Sequence, residues 1–187
     1  MKRAFIIHRW DGTPQSDWYP WLKAELEKQG FTVTVPAMPH TEAPSLKEWV
    51  PFLADVVGEI DEQTYFIGHS VGCQTVMRYL ESLPSSAKTG NVAFVAGWFH
   101  LVNLADKESE AIARPWIETP IDFEKVKYRP NNFYALFSDN DEWVPLTEEQ
   151  LFKQRLNAQT QILHGKGHFT GDDGVQQIPE LREKFQC

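Results

Sequence analysis

A chain of 187 residues fits one domain with a substantial buried core, and 42% hydrophobic with 24% charged residues is an ordinary globular composition. The formal charge of −8 argues against a general phosphate-binding surface, and so against nucleic acid as a partner. Two cysteines, Cys73 and Cys187, make neither a disulfide framework nor zinc-ligand spacing and suit a reducing compartment.

In chain order, short β-rich runs alternate with helical patterns. Arg3 to Ile7 reads as a buried strand, because it is continuously apolar after its first residue. The apolar run within it is too short for a signal peptide, and no run in the chain approaches a membrane span. A cytoplasmic protein with no membrane partner is therefore expected. Asp17 to Gln29 reads as an amphipathic helix, with Trp18, Trp21, Leu22 and Leu26 on one stripe and Gly30 as its C-cap. Phe31 to Val35 is a second strand. Ser45 opens a helix to about Gly58, with Glu48 placed to complete a capping box. Thr64 to Ile67 is the third strand, followed by a helix to about Leu83, and Asn91 to Val95 is the fourth strand. The stretch 97–129 is the least regular. Then come a fifth strand, Phe133 to Phe137, a helix from Leu146 to Leu156, a sixth strand, Thr160 to Leu163, and a last helix from Val175 to about Phe185. Such alternation predicts an α/β domain in three layers, with about six mostly parallel strands and helices on both faces.

Between the third strand and its helix lies Gly68-His69-Ser70-Val71-Gly72. A bare G-x-S-x-G arises by chance in about one chain in twenty of this length. After a strand and before a helix it reads as a nucleophile elbow, in which a strained turn lifts the serine hydroxyl above the sheet. Both flanking glycines answer the crowding there. An elbow calls for an acid and then a histidine later in the chain. The loop after the fifth strand offers Asp139 and Asp141, and the loop after the sixth offers His164 and His168. The order serine, acid, histidine is that of an α/β-hydrolase triad. The histidine takes the serine proton and returns it to the leaving group, while the acid fixes the imidazole tautomer.

Taken together, several segments are distinctive: Ile6-Ile7-His8, Asp17-Trp18-Tyr19-Pro20-Trp21-Leu22, Ala37-Met38-Pro39, Leu46-Lys47-Glu48-Trp49, Gly68-His69-Ser70-Val71-Gly72-Cys73, Asp141-Glu142-Trp143-Val144-Pro145 and Gly167-His168-Phe169. Through them the whole chain resembles the small α/β-hydrolase family of bacterial YdeN and the human retinoblastoma-binding serine hydrolase. The resemblance implies a minimal Rossmann-like hydrolase domain with a Ser-Asp-His triad and little or no lid. The family pattern D-x-x-V-P falls on Asp141, leaving Asp139 as a loop residue or helix cap, and Gly-His-Phe falls on His168. Asp172 and Asp173 read as surface acids. One oxyanion-hole donor is expected at the Val71 amide and the second in the loop after the first strand. The family often has His-Gly there, whereas this chain reads His8-Arg9-Trp10-Asp11-Gly12. Arg9 is expected to point to solvent with the Trp10 amide donating. The other readings are that Arg9 crowds the loop or reaches a substrate carboxylate.

His69 reads as a buried side chain bonded to a nearby loop, and His8 as an organiser of the first loop. His40 and His100 have no evident partner. Of the seven tryptophans, Trp18, Trp21 and Trp49 read as core. Trp10, Trp98, Trp116 and Trp143 leave strand ends and, with Arg9 and Phe99, are candidates to line an apolar pocket. The stretch 97–129 has room for a short cap helix, which implies a small or accessible substrate. The chemistry expected is cleavage of small esters or amides through an acyl-enzyme, with no metal and no cofactor. The competing reading is a ligand- or protein-binding module on a hydrolase scaffold. Neither cysteine lies in an L-x-C-x-E sequence, so the retinoblastoma protein is not carried over as a partner. A flavodoxin-like nucleotide binder would need a phosphate cradle after the first strand, which residues 9–12 do not resemble.

Overall fold

A computed structural model describes residues 1–185, so Cys187 lies outside the described residues. The elements are β1 (Arg3–Ile7), α1 (Tyr19–Lys28), β2 (Thr32–Thr34), α2 (Leu46–Val57), β3 (Thr64–His69), α3 (Val71–Ser82), β4 (Val92–Val95), α4 (Lys107–Glu118), α5 (Phe123–Val126), β5 (Phe133–Ser138), α6 (Thr147–Leu156), β6 (Gln159–Leu163) and α7 (Pro179–Glu183). The strands form one sheet in the order β2-β1-β3-β4-β5-β6, and every pairing is parallel.

That order reverses direction at β1. The chain first steps outward to β2, then crosses back to β3 and continues the other way. Right-handed crossovers therefore put α1 on one face and the helices between β2 and β6 on the other, while α7, after the last strand, is free to return to the α1 face. Accordingly α1 packs with α7, and α2, α3, α5 and α6 are neighbours in turn. The reversal has a consequence for function, because parallel sheets bind ligands where such a switch opens a crevice at the strand carboxyl ends. Pairing of Ile7 with Gly68 sets the loop after β1 beside the turn after β3.

The central strands are buried along their whole length, as continuous apolar runs require. Helix α3 lies in the middle of the fold, with every residue from Val71 to Leu80 buried. Its Arg78 donates to the Trp116 and Thr119 carbonyls, both at 2.8 Å, and so anchors the C-terminal end of α4.

Three local expectations change. The capping box of α2 does not form: Ser45 makes no side-chain cap, and its carbonyl accepts instead from Glu48 N at 3.0 Å and Trp49 N at 2.8 Å. The irregular stretch contains a full helix, α4, capped by Asp106 whose carboxylate accepts from Ser109 N at 2.7 Å. The last helix starts four residues late, because Pro179 suits a first helical turn and the residues before it form loop. No helix among the described residues is long and apolar enough to cross a membrane.

Candidate active site

Ser70 sits between β3 and α3 with φ 54° and ψ −119°, a region that non-glycine residues enter only under strain. Its amide donates to the Val95 carbonyl at 2.9 Å, which ties the turn to β4. The turn is crowded: a Cβ on Gly68 would lie 2.8 Å from the Cys73 backbone. The Ser70 hydroxyl accepts from Trp98 Nε1 at 3.3 Å, and among the described residues no hydrogen bond joins it to His168. That acceptor role leaves the serine O–H free to point elsewhere. Cys73, one turn into α3, is fully buried, which pushes its thiol well up and makes it a packing residue.

His168 and Asp141 come together from the loops after β6 and β5. Asp141 Oδ2 lies 2.8 Å from His168 Nδ1, with both side chains nearly buried. Its other oxygen accepts from the Trp143 and Val144 amides at 2.9 and 3.0 Å. A carboxylate so placed can only accept, so Nδ1 carries the proton and Nε2 is the bare nitrogen of the neutral ring. Asp139 instead pairs with His164 at 2.5 Å, and that histidine is 95% exposed. The two acids thus serve two different histidines.

Asp173 is exposed, as expected from sequence, but it also holds the site's backbone. One of its oxygens accepts from His168 N at 2.9 Å, Thr170 N at 3.0 Å and Thr170 Oγ1 at 2.7 Å, which fastens the histidine loop. Asp172 stays exposed.

In the first loop His8 Nε2 accepts from Met38 N at 3.1 Å, which leaves Nδ1 to donate to the Arg9 carbonyl at 2.9 Å. Burial lowers the His8 pKa and so favours this neutral form. Arg9 departs from expectation. Its side chain does not point to solvent but folds onto Asp17, with Nε to Oδ2 at 2.8 Å, and also donates to the Trp10 carbonyl at 2.9 Å. The reason is Asp17, whose carboxylate is 3% exposed and needs a cation. Burial opposes its charge, yet the bonds from Arg9 and Gly171 N hold the carboxyl below its usual range. Neither the Trp10 nor the Val71 amide is taken up in a hydrogen bond among the described residues.

Above these loops opens a pocket of about 460 Å³. Ser70 and His168 reach it together, and its wall includes Arg9, Trp10, Trp143, Leu101, Leu104 and Ile112. Trp143 meets the His168 ring edge-on at 5.2 Å. Three expected liners are elsewhere. Trp98 is 1% exposed and turns its indole beneath Ser70. Phe99 packs into the core on Phe123 and Phe152, capped by Arg155. Trp116 is locked by its Nε1 bond to the Pro44 carbonyl and its edge contact with Trp49. Large aromatics leaving a strand end gain more by closing the core than by lining a wet cavity. His100 and His40, without partners in the sequence reading, lie 2.9 Å from Glu148 and 3.7 Å from Glu42. No three His, Cys, Asp or Glu side chains among the described residues are grouped as a metal ion would require.

Comparison with known proteins gives the family and the fold. Residues 4–187 match the family described as Serine hydrolase. YdeN of Bacillus subtilis is 27% identical over 179 residues, covering 95% of this chain and 91% of its own. Serine hydrolase RBBP9 of Rattus norvegicus is 30% identical over 156 residues, covering 81% and 77%. The crystal structure of the B. subtilis ydeN gene product superposes with a TM-score of 0.89 at 25% identity, over 98% of this chain and 96% of that one. Est1E of Butyrivibrio proteoclasticus, solved with ferulic acid bound, has a TM-score of 0.70 at 15% identity, over 98% and 86%, a likeness of fold.

Proposed function

Because the chain belongs to the serine hydrolase family and has the α/β-hydrolase fold, we propose that it cleaves small esters, or amides, through an acyl-enzyme formed on Ser70. The observation that carries this reading is the joint position of Ser70 and His168 on one pocket, with Asp141 bonded at 2.8 Å to the far nitrogen of the histidine. In the proposed cycle His168 Nε2 takes the Ser70 proton as Oγ attacks the substrate carbonyl. The resulting oxyanion is met by the amides of Val71, at the positive end of α3, and Trp10. His168 then hands the proton to the leaving alcohol. A water, deprotonated by the same nitrogen, attacks the acyl-enzyme and frees Ser70. The reading treats the chain as one domain whose stretch 97–129, with α4, forms a short cap over the pocket.

The test is labelling with a fluorophosphonate probe, read by intact mass. One adduct on the wild type, absent from Ser70→Ala, is the expected result. A folded wild type that takes no adduct would overturn the proposal and leave a binding module on a hydrolase scaffold.

The pocket also bears on the substrate. Asp11, Glu42, Asp106, Glu108, Asp172 and Asp173 line it, while its one cation, Arg9, is already neutralised by Asp17. Esters carrying a carboxylate should be disfavoured. We expect p-nitrophenyl hemisuccinate to have a kcat/KM about fivefold or more below that of p-nitrophenyl acetate at low salt. The gap should shrink at 0.5 M NaCl, where screening is shorter-ranged. Equal rates at low salt would show that the rim does not select charge.

A further inference from the structure

Two buried groups beside the site have no part in the proposed chemistry. His69, adjacent to Ser70, and Tyr19, at the start of α1, are both fully buried. Tyr19 Oη lies 2.6 Å from His69 Nδ1, and His69 Nε2 lies 2.8 Å from the carbonyl oxygen of His168. The Arg9 amide, at the opening of the first loop, donates to Tyr19 Oη at 3.1 Å.

The donors follow from what each atom can do. A carbonyl only accepts, so His69 Nε2 must carry a proton. Burial first, then the neighbouring His168, push the His69 pKa down to about 3, even with Asp17 3.9 Å away. The ring is therefore neutral, and Nδ1 is bare. It must accept from the Tyr19 hydroxyl. The Tyr19 oxygen in turn accepts from Arg9 N–H. Each N–H or O–H in the chain donates once and all bonds run one way. A second strut runs alongside: Asp17 binds Arg9 Nε through one oxygen and Gly171 N, at 2.8 Å, through the other. Both links join the loop after β1 to the loop after β6, and the first passes through the residue preceding Ser70.

We propose that Tyr19 and His69 are positioning residues, whose one-way chain from the Arg9 amide to the His168 carbonyl fixes the oxyanion loop and the histidine loop against the serine turn. The inference rests on the serine hydrolase reading above. It explains why a loop with arginine in place of glycine still holds its place: the Arg9 amide is anchored from below by Tyr19 and its side chain by Asp17. Misplacement of the two loops acts on the transition state more than on ground-state binding, since substrate is held mainly by the pocket wall.

The test uses p-nitrophenyl acetate, with thermal melting to monitor the fold. Tyr19→Phe removes the central hydroxyl at nearly constant volume. We expect kcat to fall about tenfold with KM within twofold of wild type, and fluorophosphonate labelling of Ser70 to slow by a similar factor. His69→Gln keeps one donor and one acceptor, and should retain kcat within about threefold where His69→Leu does not. A folded Tyr19→Phe with wild-type kcat, or one altered in KM alone, overturns the proposal. If Tyr19→Phe does not fold, His69→Gln decides: retained kcat supports the chain, and a folded variant with less than a tenth of it overturns it. If the wild type itself takes no fluorophosphonate, the hydrolase reading has failed instead. The ¹⁵N spectrum of His69 then judges the chain alone, with a neutral Nε2–H ring at pH 6 expected and a protonated or Nδ1–H ring overturning it.

Discussion

Changing Asp141 to asparagine should cut kcat about 10³- to 10⁴-fold, about 4–5.5 kcal/mol of transition-state stabilisation, with the fold intact. The size follows from how tightly this carboxylate is oriented. One oxygen accepts from two backbone amides, Trp143 N and Val144 N, and an asparagine must keep its carbonyl there. Its amide NH₂ is then forced onto His168 Nδ1, where the wild type has a carboxylate oxygen at 2.8 Å. Two donors cannot face one another, so the imidazole must move its proton to Nε2. The nitrogen that should accept the Ser70 proton is then already protonated, and the base is lost. Asp139→Asn is the discriminating partner. Asp139 binds His164 and the Gly165 amide, well out in solvent, and its loss should leave kcat within about twofold. Steady-state kinetics on p-nitrophenyl acetate decide between them. Equal losses in the two variants, or a loss confined to Asp139→Asn, would move the acid of the proposed triad.

This pair also marks what the sequence could reveal. The strands, the elbow and the order of acid and histidine are local patterns, and each is visible as a run of side chains with a fixed period. Asp141 is set apart from Asp139 only through the resemblance, whose D-x-x-V-P pattern falls on it with Val144 and Pro145. Asp17 is different. In the sequence it belongs to the helix that follows it. In the fold it ties Arg9 to Gly171, 154 residues away, and nothing in the periodicity of α1 points there. Asp173 escapes for a related reason: its bonds go to backbone amides of the histidine loop, which carry no sequence identity. A hint existed in the shared composition of that loop, since Gly167 has a positive φ and its missing side chain leaves room for the Asp173 carboxylate. Trp98 shows the limit of reading position alone. A residue just past a strand end can turn up toward the pocket or down into the core, and the alternation that would decide has ended with the strand.

Gly72→Ala should be the most damaging single-methyl change in the chain. A Cβ at Gly72 would lie 2.8 Å from the carbonyl oxygen of His8 and closer still to that of Ile7. Both are backbone atoms at the end of β1, fixed by pairing of Ile7 with Gly68, so no side-chain rotation can relieve the overlap. Either α3 must lift from the sheet or the end of β1 must give way. Overpacking of this kind costs about 1–3 kcal/mol where side chains can adjust, and a purely backbone clash belongs at or beyond the upper end. A fall in melting temperature of about 10 °C is expected for a chain of this size. Gly30→Ala is the control. Gly30 has φ +85° but open space around its missing Cβ, so it should cost only about 1 kcal/mol of backbone strain. The difference between the two variants isolates close approach from conformational freedom. It also carries a functional consequence, because the backbone that must yield leads directly into His8, Arg9 and Trp10. A folded Gly72→Ala enzyme should lose at least tenfold in kcat as the Trp10 amide is displaced from the developing oxyanion. A Gly72→Ala variant that melts with the wild type and turns over at its rate would show that β1 and α3 do not meet as closely as the fold requires, and the proposed oxyanion hole between them would fall with it.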